Sequence, residues 1–237
     1  SMSASTDLLI LIPAFNEGRR IAKTVKEIRG VVPNAVILVV DDGSFDRTGG
    51  EARRAGAIVL RHHFNLGYGS ALQTGYRYAL EKGFHILVQM DGDGQHDPEG
   101  IPSLLRAVRK GKVDVAIGSR FLGTCLYHIP AVRRIGMLIF AWIATLLTGQ
   151  KVTDPTSGFQ ALSRRALKLF ASRHFPVDYP DADVIVMLKK AGLSFSEIPV
   201  IMRPAPSGKS MHSGILKPLY YIFKMSLSLF VTLLRKP

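Results

Sequence analysis

The sequence predicts an α/β fold, a mostly parallel sheet with helices packed on both faces. Short apolar runs recur along the first half, each followed by a stretch of helical periodicity. The runs lack polar alternation, as expected of strands buried on both faces. Acidic and polar residues collect where successive runs end, and ligands of open α/β sheets bind beyond the carboxyl ends of the strands.

The elements follow in order. "LLILIP" (8–13) is a buried strand, with a helix over 17–29. "AVILVVDD" (35–42) is the second strand, and a helix follows "SFDRT". "AIVLRH" (57–62) is the third, followed by a helix over 67–82. "HILVQMD" (85–91) is the fourth, and the next helix opens at Pro98-Glu99, since proline is well placed in a first turn. "VDVAIGS" (113–119) is the fifth. The second half is less regular. Its uncharged run 135–147, "IGMLIFAWIATLL", would reach only about 20 Å as a helix, against a hydrocarbon core of about 30 Å. It is a core helix or one lying in a membrane interface. The chain ends in a second apolar stretch, "KPLYYIFKMSLSLFVTLLRKP", with two tyrosines of the type that favours the headgroup level.

The length of 237 residues suits one large domain with an appendage. We expect a catalytic domain over 7–210 and an amphipathic, membrane-associated segment over 211–237, with Ser1-Met2 a cloning remnant. One cysteine, Cys125, excludes an internal disulfide and a cysteine zinc site. The net charge is +13, and neither 115–153 nor 198–237 contains an Asp or Glu. Such blocks favour an anionic partner. They carry apolar runs rather than interleaved basic and aromatic residues, so an anionic membrane surface is expected and nucleic acid is not.

"DGDGQH" (91–96) follows the fourth strand. Two carboxylates one residue apart, Asp91 and Asp93, suit a hard divalent cation, Mg²⁺ or Mn²⁺, that accepts one or two carboxylates and completes its sphere with water and phosphate oxygens. An Asp-rich turn explains the tetrad alone equally well. The second acidic strand end, "VVDDGS", tips the balance, because neighbouring carboxylate sites repel unless a ligand or cation compensates. A dinucleotide site is disfavoured: "GYGSAL" has Leu72 where the third glycine belongs, and the first strand runs into "PAFNEG" instead of a glycine-rich turn. His96 is better placed as a hydrogen-bonding neighbour than as a ligand, since hard cations prefer oxygen. His62, His63 and His212 have structural readings.

"IPAFNE" (12–17), "VVDDGSFDRT" (39–48), "NLGYGSALQTGYRYA" (65–79), "MDGDGQHDP" (90–98), "GSRF" (118–121) and "DPTSGFQAL" (154–162) together resemble family 2 glycosyltransferases of the GT-A, Rossmann-like nucleotide-diphospho-sugar transferase fold. The branch is similar to dolichyl-phosphate mannose synthase and bacterial polyprenyl-phosphate glycosyltransferases. The resemblance implies that Pro13, Ala14, Asn16 and Glu17 line the donor nucleotide pocket. It sets Asp42, with Asp41 beside it, at the base or ribose. Asp91 and Asp93 match the metal-binding DxD, and Gln95 a position that completes the metal sphere. Gly92 stands where alanine is usual. Arg120 and Arg203, with Gly208 and Ser210, match elements that close over phosphates, and Asp154 with Ser157-Gly158-Phe159 matches the acceptor-side motif.

The activity implied is inverting, metal-dependent transfer of a sugar from a nucleoside-diphosphate sugar to polyprenyl phosphate at the cytoplasmic face of the cell membrane. A phosphate monoester, with its second pKa near ~6, needs no general base. A glycan hydroxyl would need one, and Asp181 or Asp183 of "DYPDADV" is the candidate; relatives often carry Glu at Asp183, and orienting the acceptor or pairing with Arg203 remain open roles for it. Arg133 and Arg134, immediately before the run 135–147, are candidate phosphate contacts. A non-catalytic nucleotide-sugar or membrane-binding module is the reading from another class. Similar short bacterial enzymes imply a small membrane protein as partner. Some relatives continue into transmembrane helices, whereas this chain stops at Pro237, so a naturally peripheral enzyme and a shortened one both stay open.

Overall fold

The computed structural model describes residues 7–125, 131–173, 175–176 and 182–204. Gly208, Ser210, Asp181, Ser1-Met2 and the segment 211–237 lie outside the described residues, and so does the side chain of Arg133.

Among the described residues seven strands form one sheet, in the order β3-β2-β1-β4-β6-β5-β7. They are β1 (Leu8–Ala14), β2 (Val36–Asp41), β3 (Ile58–Arg61), β4 (Ile86–Gln89), β5 (Val115–Cys125), β6 (Gln160–Leu162) and β7 (Phe195–Met202). Pairings β1·β2, β1·β4, β2·β3 and β5·β7 are parallel. Strand β6 runs antiparallel between β4 and β5, so those two keep a common direction. Every residue of β1 is buried, and its side chains alternate between two cores. Leu9 and Leu11 join one with Leu38, Val40 and Tyr76, while Ile10 and Ile12 join the other with Ile37 and Val39. A strand covered on both faces reads as a continuous apolar run for this reason.

The helices are α1 (Ile21–Val31), α2 (Thr48–Arg54), α3 (Tyr68–Glu81), α4 (Ile101–Arg109), α5 (Ala131–Thr148), α6 (Arg164–Phe170) and α7 (Ala182–Lys190). Helix α1 begins four residues later than the periodicity predicts. Asn16 has φ 56°, in the left-handed region, and residues 17–20 form a turn closed by Arg20 N–H donating to the Glu17 carbonyl at 2.8 Å. Asp97 caps the turn at Pro98–Gly100 through the Glu99 N–H (3.1 Å) and leads into α4. Strand β5 runs beyond its predicted end at residue 119, with a register shift against β7 between Ser119 and Thr124.

Helix α5 extends the apolar run at both ends and has two faces. Met137, Phe140, Ala141, Ala144 and Thr148 are buried. Ile135, Leu138, Ile139, Trp142 and Leu146 form a stripe 49–68% exposed, at the spacing of a single helix face. No helix among the described residues is long and apolar enough to cross a membrane.

Helix α3 lies against β1 where Gly75 meets Leu11. A Cβ at position 75 would approach the Leu11 side chain to 2.2 Å, and both residues sit in the core. Overpacking there costs typically about 1–3 kcal/mol. Gly75→Val is therefore expected to lower unfolding free energy by about 2 kcal/mol in urea denaturation, despite valine's better helix propensity.

Candidate active site

The carboxyl ends of β1, β2, β4 and β5 gather most of the predicted site residues along one edge. Pro13 and Ala14 are the last two residues of β1, both buried. Beyond them Asn16 stitches two loops together: its N–H donates to Ser44 Oγ (3.0 Å) and its Oδ1 accepts from the Phe45 N–H (2.9 Å). Asparagine tolerates the left-handed backbone that this turn requires. The Glu17 N–H is held by Thr48 Oγ1 at 2.8 Å, and its carboxylate pairs with Arg20 at 2.9 Å. Burial raises the Glu17 pKa, Arg20 opposes that, and the charges of Asp93 and Asp46 add to it.

The acid pair at the end of β2, Asp41 and Asp42, is buried. Asp41 Oδ1 accepts from the Ser44 N–H (3.0 Å), with Arg61 3.6 Å from its other oxygen. Asp42 accepts from the Leu66 N–H (3.0 Å) and the Gly67 N–H (2.8 Å), and its Oδ1 lies 2.6 Å from His62 Nδ1. His62 reaches Thr74 Oγ1 through its other nitrogen at 2.9 Å. Asp42 thus fastens the loop that opens α3, a role its motif did not announce.

After β4, Asp91 and Asp93 stand with separate tethers. The Asp91 N–H donates to His96 Nδ1 (3.1 Å), and the buried His96 ring stacks on Phe159 with centroids 5.1 Å apart. Asp93 Oδ1 accepts from the Gln95 N–H at 2.9 Å. The Gln95 carbonyl accepts from the Arg203 N–H at 2.8 Å, which ties the loop to the end of β7. Burial raises the Asp93 pKa, and the charge of Asp91 raises it further, against weaker contributions from Gln95, His96 and Arg20. A Cβ on Gly92 would come within 3.3–3.5 Å of Ile12, Ile21 and Ala14, so this link of the loop is pressed onto the core.

Beyond this loop Arg120 and Asp154 form a buried pair. Asp154 Oδ2 accepts from both the Arg120 N–H (3.0 Å) and Nε (2.7 Å), and Arg120 also reaches the Thr156 carbonyl at 3.3 Å. Glu197 of β7 holds the same turn, accepting from the Thr153 N–H (2.9 Å), the Thr153 hydroxyl (2.8 Å) and the Asp154 N–H (2.6 Å). Ser157 Oγ donates to the Gly118 carbonyl at 2.5 Å. Gly158 lies beside the Asp91–Asp93 loop, since a Cβ there would be 3.2 Å from Asp91 Oδ1. Arg203 is engaged by Glu27 and Asp97, each at 2.9 Å. Asp183 is buried at the start of α7, its Oδ1 accepting from the Val184 N–H (2.9 Å). Arg134 is exposed on α5. Glu197, Arg20 and Tyr68 are site-edge residues that the motifs did not single out.

The described residues bring no three His, Cys, Asp or Glu side chains into a metal-binding group. Two carboxylates suffice for Mg²⁺ or Mn²⁺ when donor phosphate and water supply the other oxygens. The crowding that raises the Asp93 pKa is what a cation would relieve.

Residues 9–170 match the family model described as Glycosyl transferase family 2. The chain belongs to that family. This glycosyltransferase is 33% identical over 216 residues to the undecaprenyl-phosphate mannosyltransferase of Micrococcus luteus, covering 87% of this chain and 88% of that one. It is 32% identical over 215 residues to the polyprenol monophosphomannose synthase of Mycolicibacterium smegmatis, covering 87% and 81%. It is also 34% identical over 221 residues to an uncharacterized protein of Methanocaldococcus jannaschii, covering 92% and 90%. Among solved structures, glucosyl-3-phosphoglycerate synthase of Mycobacterium tuberculosis with Mn²⁺ and UDP-glucose superposes with TM-score 0.68 at 20% identity, covering 98% of this chain and 80% of that one. At that identity the likeness concerns the fold, and it agrees with the GT-A-like architecture.

The raised pKa of Asp93 means that its ionised form opposes folding above that pKa, and that this opposition fades as pH falls through it. Asp93→Asn is expected to raise the thermal midpoint of the metal-free glycosyltransferase at neutral pH and, if the carboxylate pair holds a cation, to remove Mn²⁺ binding. Calorimetry with and without chelator measures both.

Proposed function

We propose that this glycosyltransferase moves a sugar from a nucleoside-diphosphate sugar to a polyprenyl phosphate, with inversion, at the cytoplasmic face of the cell membrane. The observation that carries this reading is one chain holding both a partly buried carboxylate pair at the sheet's carboxyl edge and, on α5, an exposed apolar stripe. The names of the two mannosyl-transferring relatives point the same way.

Asp91 and Asp93 would hold Mg²⁺ or Mn²⁺, with Gln95 completing the sphere. The cation would supply Lewis-acid charge to the departing diphosphate. Pro13, Ala14, Glu17 and Asp41 border the space assigned to the nucleotide, and Asn16 and Asp42 fix the loops around it. A phosphate oxygen of the lipid attacks the anomeric carbon from the face opposite the nucleotide. As that bond forms, the bond from the anomeric carbon to the diphosphate oxygen breaks, and its electron pair leaves with the nucleoside diphosphate. The acceptor phosphate is already largely dianionic at neutral pH, so no protein base is required. Arg120, preset by Asp154, and Arg134 supply positive charge near the acceptor side. Arg133, Ser157, Gly158, Arg203, Gly208 and Ser210 complete the proposed phosphate and acceptor contacts. The alternative, transfer to a glycan hydroxyl, would use Asp183 as the base.

The membrane partner is an anionic leaflet. The exposed stripe of α5 would enter the interface, and basic residues near such a surface contribute about 1 kcal/mol each. A small membrane protein as a further partner rests on the resemblance alone.

The deciding assay offers a panel of radiolabelled sugar nucleotides with undecaprenyl phosphate, with Mn²⁺ or Mg²⁺ and with chelator. Label is expected in the organic phase only with metal. Nucleotide release without lipid labelling would favour the hydroxyl acceptor. A separate flotation experiment addresses α5: Leu138→Glu combined with Trp142→Glu is expected to reduce binding to phosphatidylglycerol-containing vesicles at least about tenfold, since each change replaces an interfacial apolar group by a repelled charge.

A further inference from the structure

Tyr68 is the first residue of α3, directly after Gly67, whose φ is +97°. Its hydroxyl donates to Asp91 Oδ1 at 2.9 Å. The contact has little to do with core packing, because Tyr68 is 43% exposed. Gly158 closes the third side: a Cβ there would lie 2.7 Å from Tyr68 Oη and 3.2–3.3 Å from the two Asp91 oxygens. Only hydrogen fits at that position without pushing the phenol off the carboxylate.

The other groups of the cation loop have tethers of their own. His96 holds the Asp91 backbone, and the Gln95 N–H holds the Asp93 carboxylate. The Asp91 carboxylate is oriented by Tyr68. Tyr68 is in turn positioned by Asp42, which accepts the two backbone N–H groups immediately before it, Leu66 and Gly67. A continuous path therefore runs from the acid pair after β2, through the opening of α3, to the acid pair after β4.

We propose that Tyr68 is a positioning residue for the cation site: it sets the Asp91 carboxylate in its metal-accepting orientation, and Asp42 acts on that site through it. The proposal rests on the assignment of Asp91 and Asp93 as cation ligands. A hydroxyl donated to Oδ1 leaves Oδ2, which lies 3.8 Å from His96 Nδ1, to coordinate, and it removes rotational freedom that binding would otherwise have to freeze. Hydrogen-bond partners of metal-ligating groups typically contribute about 10–100-fold to metal affinity.

The test is titration of the full-length, donor-free protein with Mn²⁺, following free Mn²⁺ by electron paramagnetic resonance. Tyr68→Phe keeps the ring and removes only the donor. It is expected to weaken Mn²⁺ binding about tenfold with an unchanged thermal midpoint. Gly158→Ala, which displaces the phenol sterically, is expected to shift affinity in the same direction. In an Asp91→Asn background, Tyr68→Phe should have no further effect, because the group it orients is gone. Equal affinity of wild type and Tyr68→Phe would overturn the role of Tyr68 while leaving the cation site in place. Absence of Mn²⁺ binding by wild type would remove the cation assignment and this proposal together.

Discussion

Two carboxylates held side by side and partly out of water are costly, and the carboxyl edge of the sheet is arranged around that cost. Burial and the neighbouring Asp91 charge both raise the Asp93 pKa, and the same Asp93 charge raises that of Glu17 across the loop. A fold free to relax would let these side chains swing into solvent. Here each is restrained from a different element: Asp93 by the Gln95 N–H, Glu17 by Arg20, and Asp91 by a phenol at the start of α3. Spreading the restraints over separate elements prevents one local motion from releasing the whole set.

The turn beside Arg120 meets a different requirement, since a buried guanidinium must be paired. Arg120 is buried and would carry an uncompensated charge without Asp154, a situation that typically costs about 3–5 kcal/mol. Asp154 is fixed by its own backbone, which Glu197 grips from β7. The geometry of the arginine is therefore set in part by the neighbouring strand of the sheet, β7, and the turn 153–157 cannot shift without breaking several charge-assisted hydrogen bonds. The Arg120–Asp154 pair and the Asp91–Asp93 loop are each tied by several hydrogen bonds before any ligand arrives, which reduces the reorganisation that binding has to supply.

Much of this was legible in the sequence. Strands β1 to β5 announce themselves as unbroken apolar runs and helices α1 to α4 by the stretches that follow them, and the acidic strand ends mark the candidate site. Strand β6 does not, since three residues carry no periodicity and its antiparallel insertion depends on tertiary pairing alone. Asp42 was legible as a site residue, but its hold on the start of α3 was not, because only the folded loop brings the Leu66 and Gly67 amides to it. Tyr68 hid inside a motif weighed for its glycines. Glu197 had a signal that went unused: it is the last acidic residue of the chain and stands in an otherwise apolar stretch, "FSEIPVIM". A lone acid in such a strand needs a partner, and the Thr153 and Asp154 amides are that partner.

Helix α5 shows why hydropathy alone could not choose between a core helix and an interfacial one. The run 135–147 is apolar on every side, so its sequence carries no polar face from which to infer orientation. Folding divides it into two stripes. One, through Phe140 and Ala144, contributes to the protein interior, and the other, through Leu138 and Trp142, is exposed among the described residues. The buried stripe fixes the helix to the catalytic domain, so any surface that accepts the exposed stripe is held in a set orientation to the carboxyl edge. An interfacial helix on a flexible tether would bring the enzyme near a lipid substrate. One built into the domain would also restrict how the site faces a bilayer, and under the proposed reading, in which a lipid phosphate is the nucleophile, that restriction would act directly on the direction of attack.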